Sequence, residues 1–334
     1  MSYDANILRR ATQRLEDDRR ARSDRAERLR AQVYDRQPRL EVLDRELQGT
    51  MSQLVAAALR KGEDPAAAIR EIREKNLDLQ RERAVLLGAL GLPEDALEAK
   101  PACPHCGDTG WRGAQMCSCL QALCAQEQIR ELSKLLDLGE QSFDAFQLDY
   151  YSDRVWPDKG TSPRENMEIN QYTCYNYAMK FGRISMRNLF LTGAPGLGKT
   201  FLSACIARTV SEKGFSVVYD TAGNIFAQFE ARKFQRDGED GREARDETRR
   251  YLNCDLLILD DLGSELTTQF TQSVLYELVN TRLVAGRHTV ISSNLSMSEV
   301  ARRYAPQIAS RLEGEYHVLH FFGDDIRLLR KNRL

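Results

Sequence analysis

From Gly193 to Thr200 the chain reads GAPGLGKT, placing glycine, lysine and threonine at the spacing G-x-x-x-x-G-K-T between the apolar run NLFL and a helical stretch. Glycines at this spacing let backbone N–H groups turn inward around an anion with no Cβ in the way. A helix starting near Lys199 would point the positive end of its dipole at the same anion. Lys199 is placed to reach the β- and γ-phosphates of a triphosphate, and the Thr200 hydroxyl to ligate Mg2+. The pattern predicts a nucleotide cradle made of Gly193, Ala194, Pro195, Gly196, Leu197, Gly198, Lys199, Thr200 and Phe201.

Such a cradle needs a carboxylate to complete its metal site, and CDLLILDDLG supplies two at the end of an apolar run. Asp260 is expected in the Mg2+ shell, and Asp261 where a carboxylate orients or deprotonates an attacking water. The next apolar run, HTVISSNLS, ends at Asn294, whose neutral amide can position water or contact the γ-phosphate. Arg311 in IASRLEG and Arg327 in FFGDDIRLLRKNRL are candidates to stabilise charge developing on that phosphate.

A second chemistry sits upstream. CPHCGDTGWRGAQMCSCL holds Cys103-x-x-Cys106 and Cys117-x-Cys119 in one short loop. Four thiolates suit tetrahedral Zn2+, and coordination would order a segment too poor in apolar residues to fold alone. With all four positions taken by sulfur the role is structural. His105 and Cys124 are alternative ligands.

These residues need elements to hold them, and composition divides the 334 residues into three zones. Residues 1–97 are dense in Arg, Glu, Asp, Leu and Ala. Ile69, Ile72, Leu79 and Leu86 recur at helical spacing; Asp64 before Pro65 reads as a helix start, and Gly88, Gly91 and Pro93 as its end. The zone is either a solvated helical spacer or a helical hairpin or small bundle that binds a partner. Residues 98–135 carry the cysteines and a linker helix. Residues 136–334 alternate apolar runs (188–192, 216–219, 256–259, 289–292 and 316–321) with helical stretches, which predicts βα units and a mainly parallel sheet. The charged interval 230–250 reads as an exposed helix or loop.

A net charge of −1 argues against bulk electrostatic binding of nucleic acid, leaving a local groove. Arg302 and Arg303 are the candidates for it. No run of about 18 apolar residues is present, and the charged start MSYDANILRRATQRLEDDRR is unlike a secretory signal. A cytoplasmic protein without a membrane partner is expected.

Residues from about 140 onward resemble the AAA+ ATPases of the DnaC/DnaI helicase-loader group, which includes the IstB transposition helpers; GAPGLGKTFL, LLILDDLG, VISSNLS and IASRLEG carry the likeness. The resemblance implies an α/β P-loop core with Lys199 and Thr200 as Walker A residues, Asp260 and Asp261 as Walker B and Asn294 as sensor 1. Arg311 is then a finger offered to a neighbouring subunit's ATP, and Arg327 sensor 2. AAA+ proteins at large end Walker B in Asp-Glu; Asp-Asp here implies slow, switch-like hydrolysis. The chain runs seven residues past Arg327, so the full helical lid of larger motors is not expected. SFDAFQLDYY resembles the group's segment ahead of the core, with Phe143, Phe146 and Tyr150 near the base. The Cys-rich Asp-Thr-Gly pattern resembles a zinc module found in DnaI-like proteins.

The function implied is ATP-dependent loading of a hexameric, DnaB-type replicative helicase, with ATP, Mg2+ and Zn2+ as cofactors. Single-stranded DNA is an expected partner, as are head-to-tail contacts between copies. The alternative is an IstB-like transposition helper or a phage DNA-remodelling ATPase. A third reading, an adaptor with a merely structural nucleotide, predicts no phosphate release.

Overall fold

The computed structural model describes residues 3–59, 65–136, 141–234 and 239–331. The helix start at Asp64 and part of the 230–250 interval lie outside the described residues. Two compact units emerge: residues 13–117 form one, and residues 1–12 together with 118–334 form the other.

In the first unit the described helices are most of α1 (Ala5–Arg36), α2 (Pro38–Leu59) and α3 (Pro65–Ala89). Pro38 separates the first two because the residue before a proline is driven out of helical geometry. Val33, Leu40, Leu43, Leu79, Leu87 and Leu97 are buried together, so this zone has a core of its own and is more than a solvated spacer. At its edge Arg83 pairs with Asp44 at 2.5 Å, and Tyr34 donates to the same carboxylate. The helical stripe is only partly used: Leu79 is buried, whereas Ile69 stays 38% exposed. Helix α3 stops where expected, with Gly91 at φ 71° and Leu92 N–H returning to the Leu87 carbonyl. A hairpin of β1 (Trp111–Arg112) and β2 (Gln115–Met116) follows.

The second unit is built on a parallel sheet. After α4 (Ser118–Leu132), a short 3-10 turn (Leu148–Tyr150) and α5 (Pro163–Met179) come β3 (Asn188–Gly193), α6 (Lys199–Glu212), β4 (Val217–Thr221), α7 (Ala222–Phe234) and α8 (Glu239–Asn253). Then follow β5 (Leu256–Leu262), α9 (Gln269–Val284), β6 (His288–Ser293), α10 (Met297–Tyr304), α11 (Pro306–Glu315), β7 (His317–Phe321) and α12 (Ile326–Lys331). Among the described residues the sheet has five strands in the order β4-β5-β6-β3-β7, every pairing parallel. Each run expected as a strand is one. Both faces are covered, so the strands read as continuous apolar runs instead of alternating ones. Leu189 and Leu191 enter the core on one face, and Phe190 the core on the other.

Strand order decides what can meet. β6 lies between β3, which leads into the glycine loop, and β5, which ends in the acids, so the ends of β3, β6 and β5 converge along one rim of the sheet. Helix α5 is started by a capping box, Ser162 with Glu165, and Asn166 and Asn170 on it both donate to the His320 carbonyl of β7 at 2.8 Å.

Candidate functional site

A cleft of about 880 Å³ opens at that rim, lined by the loop from Pro195 to Phe201 and by Asp260, Asp261, Ser292, Asn294, Arg327 and Arg330. The loop makes its turn through Gly198, the N-cap of α6, at φ 90°; a Cβ there would lie 2.7 Å from the Tyr151 hydroxyl, which donates to the Leu197 carbonyl. Only glycine meets both the left-handed angle and the close approach.

Lys199 is buried and donates to the carbonyls of Gly193 (2.6 Å) and Ala194 (2.8 Å). Burial lowers its pKa, partly offset by the charges of Asp260 and Asp261. The Thr200 hydroxyl donates to Asp260 Oδ2 at 3.2 Å, joining the start of α6 to the end of β5. Asp260 is 5% exposed and accepts two further hydroxyls, Tyr219 on Oδ2 at 2.6 Å and Ser292 on Oδ1. Burial first, then the neighbouring Asp260, raises the Tyr219 pKa and keeps its phenol protonated as a donor.

Asp261 occupies the left-handed region at φ 59°, at the register shift where β5 and β6 pass from Leu259 to Leu262. Its N–H donates to Ser292 Oγ at 3.0 Å. Ser292 thus ties both acids to β6, and the bulge turns consecutive carboxylates apart: Asp260 is buried and Asp261 is exposed. Asn294 follows on the same strand's exit and faces the cleft.

The cleft is closed by α12. Its first N–H, on Ile326, donates to the Gly196 carbonyl at 3.0 Å, while Asp325 Oδ1 accepts from Arg327 N at 2.8 Å. Arg327 and Arg330, three residues apart on this helix, line the cleft together. Of the aromatics ahead of the core, Phe146 and Tyr150 line it too, Phe146 stacking on Tyr151 with centroids 5.8 Å apart. Phe143 is instead packed edge-on against Tyr175.

Arg311 does not join them. It sits on α11, donates to the Tyr276 hydroxyl at 3.2 Å, and lies 5.2 Å from that ring's centroid. Arg303 is engaged by the Thr267 hydroxyl and the Glu265 carbonyl, whereas Arg302 is exposed.

The cysteine reading meets a clear geometry. The sulfurs of Cys103, Cys106, Cys117 and Cys119 all lie within 4.8 Å of one another, a donor set that fits one tetrahedral ion. Asp108, buried and at φ 62°, accepts from Cys103 N (2.8 Å), Ala102 N (3.0 Å) and Arg22 (2.6 Å), bracing the first cysteine turn. His105 is exposed and outside the cluster. Cys124 is fully buried on α4, where burial pushes its thiol up to about 11, and it is not in the cluster either.

Sequence reasoning missed Tyr219, Ser292, Tyr151, Asp325 and Arg330. The serine lay inside the quoted VISSNLS run and the arginine a helical turn beyond Arg327, so periodicity could have found both. The tyrosines carry no spacing signal.

Residues 178–333 match the family described as IstB-like ATP binding protein. The chain is 23% identical over 128 residues to the replicative helicase loader DnaC of Escherichia coli K12, covering 38% of this chain and 51% of that protein. It is 30% identical over 145 residues to a putative insertion sequence ATP-binding protein, y4pL, of Sinorhizobium fredii, covering 42% and 56%. A crystal structure of the DnaC helicase loader superposes at a TM-score of 0.45 with 18% identity, over 56% of this chain and 99% of that one. The chain thus spans about half the length of the curated relatives it matches. The resemblance read from the motifs holds: this is an α/β chain, preceded by helices, whose residues 178–333 are similar to IstB-like ATP binding proteins. Among the described residues no helix is long and apolar enough to cross a membrane.

Proposed function

We propose that this chain is an ATP-dependent loader of a hexameric, DnaB-type replicative helicase, organised as a helical partner-binding region, a zinc-binding module and an AAA+ ATPase core. One observation carries the nucleotide site: Thr200, Asp260 and Asp261 meet the glycine loop in one cleft, with Asn294 and Arg327 on its walls. Those residues fit a triphosphate with Mg2+. Mg2+ would be held by Thr200 and Asp260 and would supply charge neutralisation.

The chain's own groups do the rest. Lys199 exchanges its two carbonyl partners for phosphate oxygens. Asp261 orients the attacking water with Asn294 beside it, and Arg327 answers charge on the γ-phosphate. Asp261 is a short carboxylate on a bulge, which suits slow, switch-like turnover. Arg311, absent from the lining of its own cleft, reaches the ATP of an adjoining copy in a head-to-tail assembly, with single-stranded DNA held in a local groove.

A transposition helper is the second reading, favoured by the likeness to the Sinorhizobium protein. The helical unit with its own core and the four-cysteine cluster support the loader. Affinity purification from the native host with ATP present tests the choice: a co-purifying hexameric helicase supports loading, and a transposase overturns it. Lys199→Ala should abolish ATP binding; retained binding would refute the site.

A further inference from the structure

Among the described residues β4 is an edge strand, paired only with β5, and its open side is covered by groups far away in sequence. Gln128 of α4 accepts from Val217 N at 2.8 Å and donates to Ser211 Oγ and the Phe215 carbonyl. Its side chain stands in for the missing strand. Residues 3–11 then fasten over it. The Tyr3 hydroxyl donates to the Gly214 carbonyl, Ile7 and Ala11 are buried, and Arg10 pairs with Glu131 and Glu127. All of these belong to the same compact unit as the sheet.

Between the fastened segment and the strand lies a cavity of about 270 Å³ walled by Tyr3, Ile7, Gln128, Leu132, Val217 and Tyr219. Tyr219 faces both ways. It forms part of the cavity wall, while its hydroxyl donates to Asp260 Oδ2 at 2.6 Å. It is not among the residues lining the nucleotide cleft, so it can act there only through the carboxylate.

We propose that Tyr219 is a positioning residue for the metal-binding carboxylate Asp260, and that the docked residues 3–11 set where Tyr219 stands. The state of the amino-terminal segment is thereby read at the metal site through one side chain. The reason is local. Asp260 is buried, and the three hydroxyls around it are what fix its orientation. Two come from elements in the nucleotide rim, Thr200 and Ser292. The third comes from the edge strand, the part of the sheet whose position depends on what covers it. Loosening the cover moves that hydroxyl and leaves the other two in place.

The inference rests on the nucleotide-site reading above. It is tested in the full chain with a fluorescent ATP analogue, titrated with Mg2+ and measured separately in EDTA. Tyr219→Phe keeps the ring and removes one hydrogen bond to a charged group, so the Mg2+ concentration for half-saturation should rise about fivefold, with metal-free affinity unchanged. Tyr3→Ala should raise the same value about twofold in the wild-type background and leave it unmoved in Tyr219→Phe, the coupling expected of groups acting in series. An unchanged Mg2+ dependence in Tyr219→Phe overturns the proposal, as do equal effects of Tyr3→Ala in both backgrounds. A loss of metal-free affinity matching the loss with Mg2+ overturns it too, because it marks general damage. A wild-type chain that binds no analogue at all instead refutes the nucleotide-site reading.

Discussion

The carboxylate of Asp325 rests against the α-carbon of Gly196: a Cβ built on that glycine would lie 2.0 Å from Asp325 Oδ1. The same aspartate accepts from Arg327 N, and the next residue donates to the Gly196 carbonyl. The phosphate loop and the helix bearing Arg327 and Arg330 are therefore in direct contact at a place with no room for a side chain.

Gly196→Ala should accordingly damage the site twice. The residue is at φ 80°, which for alanine costs roughly 1–2 kcal/mol, and its methyl group displaces Asp325. A loss of nucleotide affinity of about tenfold or more is expected from this combination, read by equilibrium binding, with far-UV circular dichroism unchanged. Asp325→Ala added to Gly196→Ala should recover part of the affinity, since it relieves the clash and leaves the strain. No recovery would show that Asp325 is not what limits the loop.

Arg282 supports the opposite face of the sheet from inside. It is 1% exposed and donates to the carbonyls of Tyr251, Cys254 and His288 and to the Thr289 hydroxyl, joining the end of α8 to β6. Arg282→Leu takes the guanidinium donors away from those carbonyls inside the fold. Urea unfolding should report a loss of about 3 kcal/mol, and a loss below about 1 kcal/mol would mean that water replaces the guanidinium.

The sheet was legible because a buried parallel strand leaves an apolar run that ends in a turn or an acid, as LLILDD does. The cradle was legible because its residues are consecutive. What escaped were contacts made by the fold alone. Tyr219 reaches Asp260 from a strand 41 residues away, and Gln128 caps an edge strand 89 residues away. Neither side chain sits in a local pattern that marks it. In the helical zone, periodicity marked the third helix but neither the two before it nor its own buried face: Leu79 is inside and Ile69 is not.

The cysteine cluster predicts about one equivalent of zinc per chain, with all four thiols shielded from alkylation until the metal is chelated. Cys117→Ser should drop the bound zinc well below half an equivalent by elemental analysis. Cys124→Ser should leave it unchanged, because that sulfur is buried on α4 and lies outside the cluster. Full zinc content in Cys117→Ser would remove the metal assignment. Asp108→Ala frees Cys103 N, Ala102 N and Arg22 together, so faster zinc release to a chelator is expected there as well.

Arg311 offers the sharpest test of assembly, because its placement outside its own cleft has two explanations. Either it is a surface group resting on Tyr276, or it completes the site of an adjoining copy. Mixing separates them. Arg311→Ala retains a whole cradle and lacks the finger, while Lys199→Ala lacks the cradle and retains the finger. In a head-to-tail assembly, a mixture contains interfaces where an intact cradle meets an intact arginine. Each variant alone should then hydrolyse ATP at under about a tenth of the wild-type rate, and an equimolar mixture should regain a fraction that rises with protein concentration. A surface role predicts instead that Arg311→Ala is as active as wild type and that mixing only averages the two rates. Colorimetric phosphate release over a series of concentrations distinguishes these outcomes, since only a shared site makes the recovered rate depend on association.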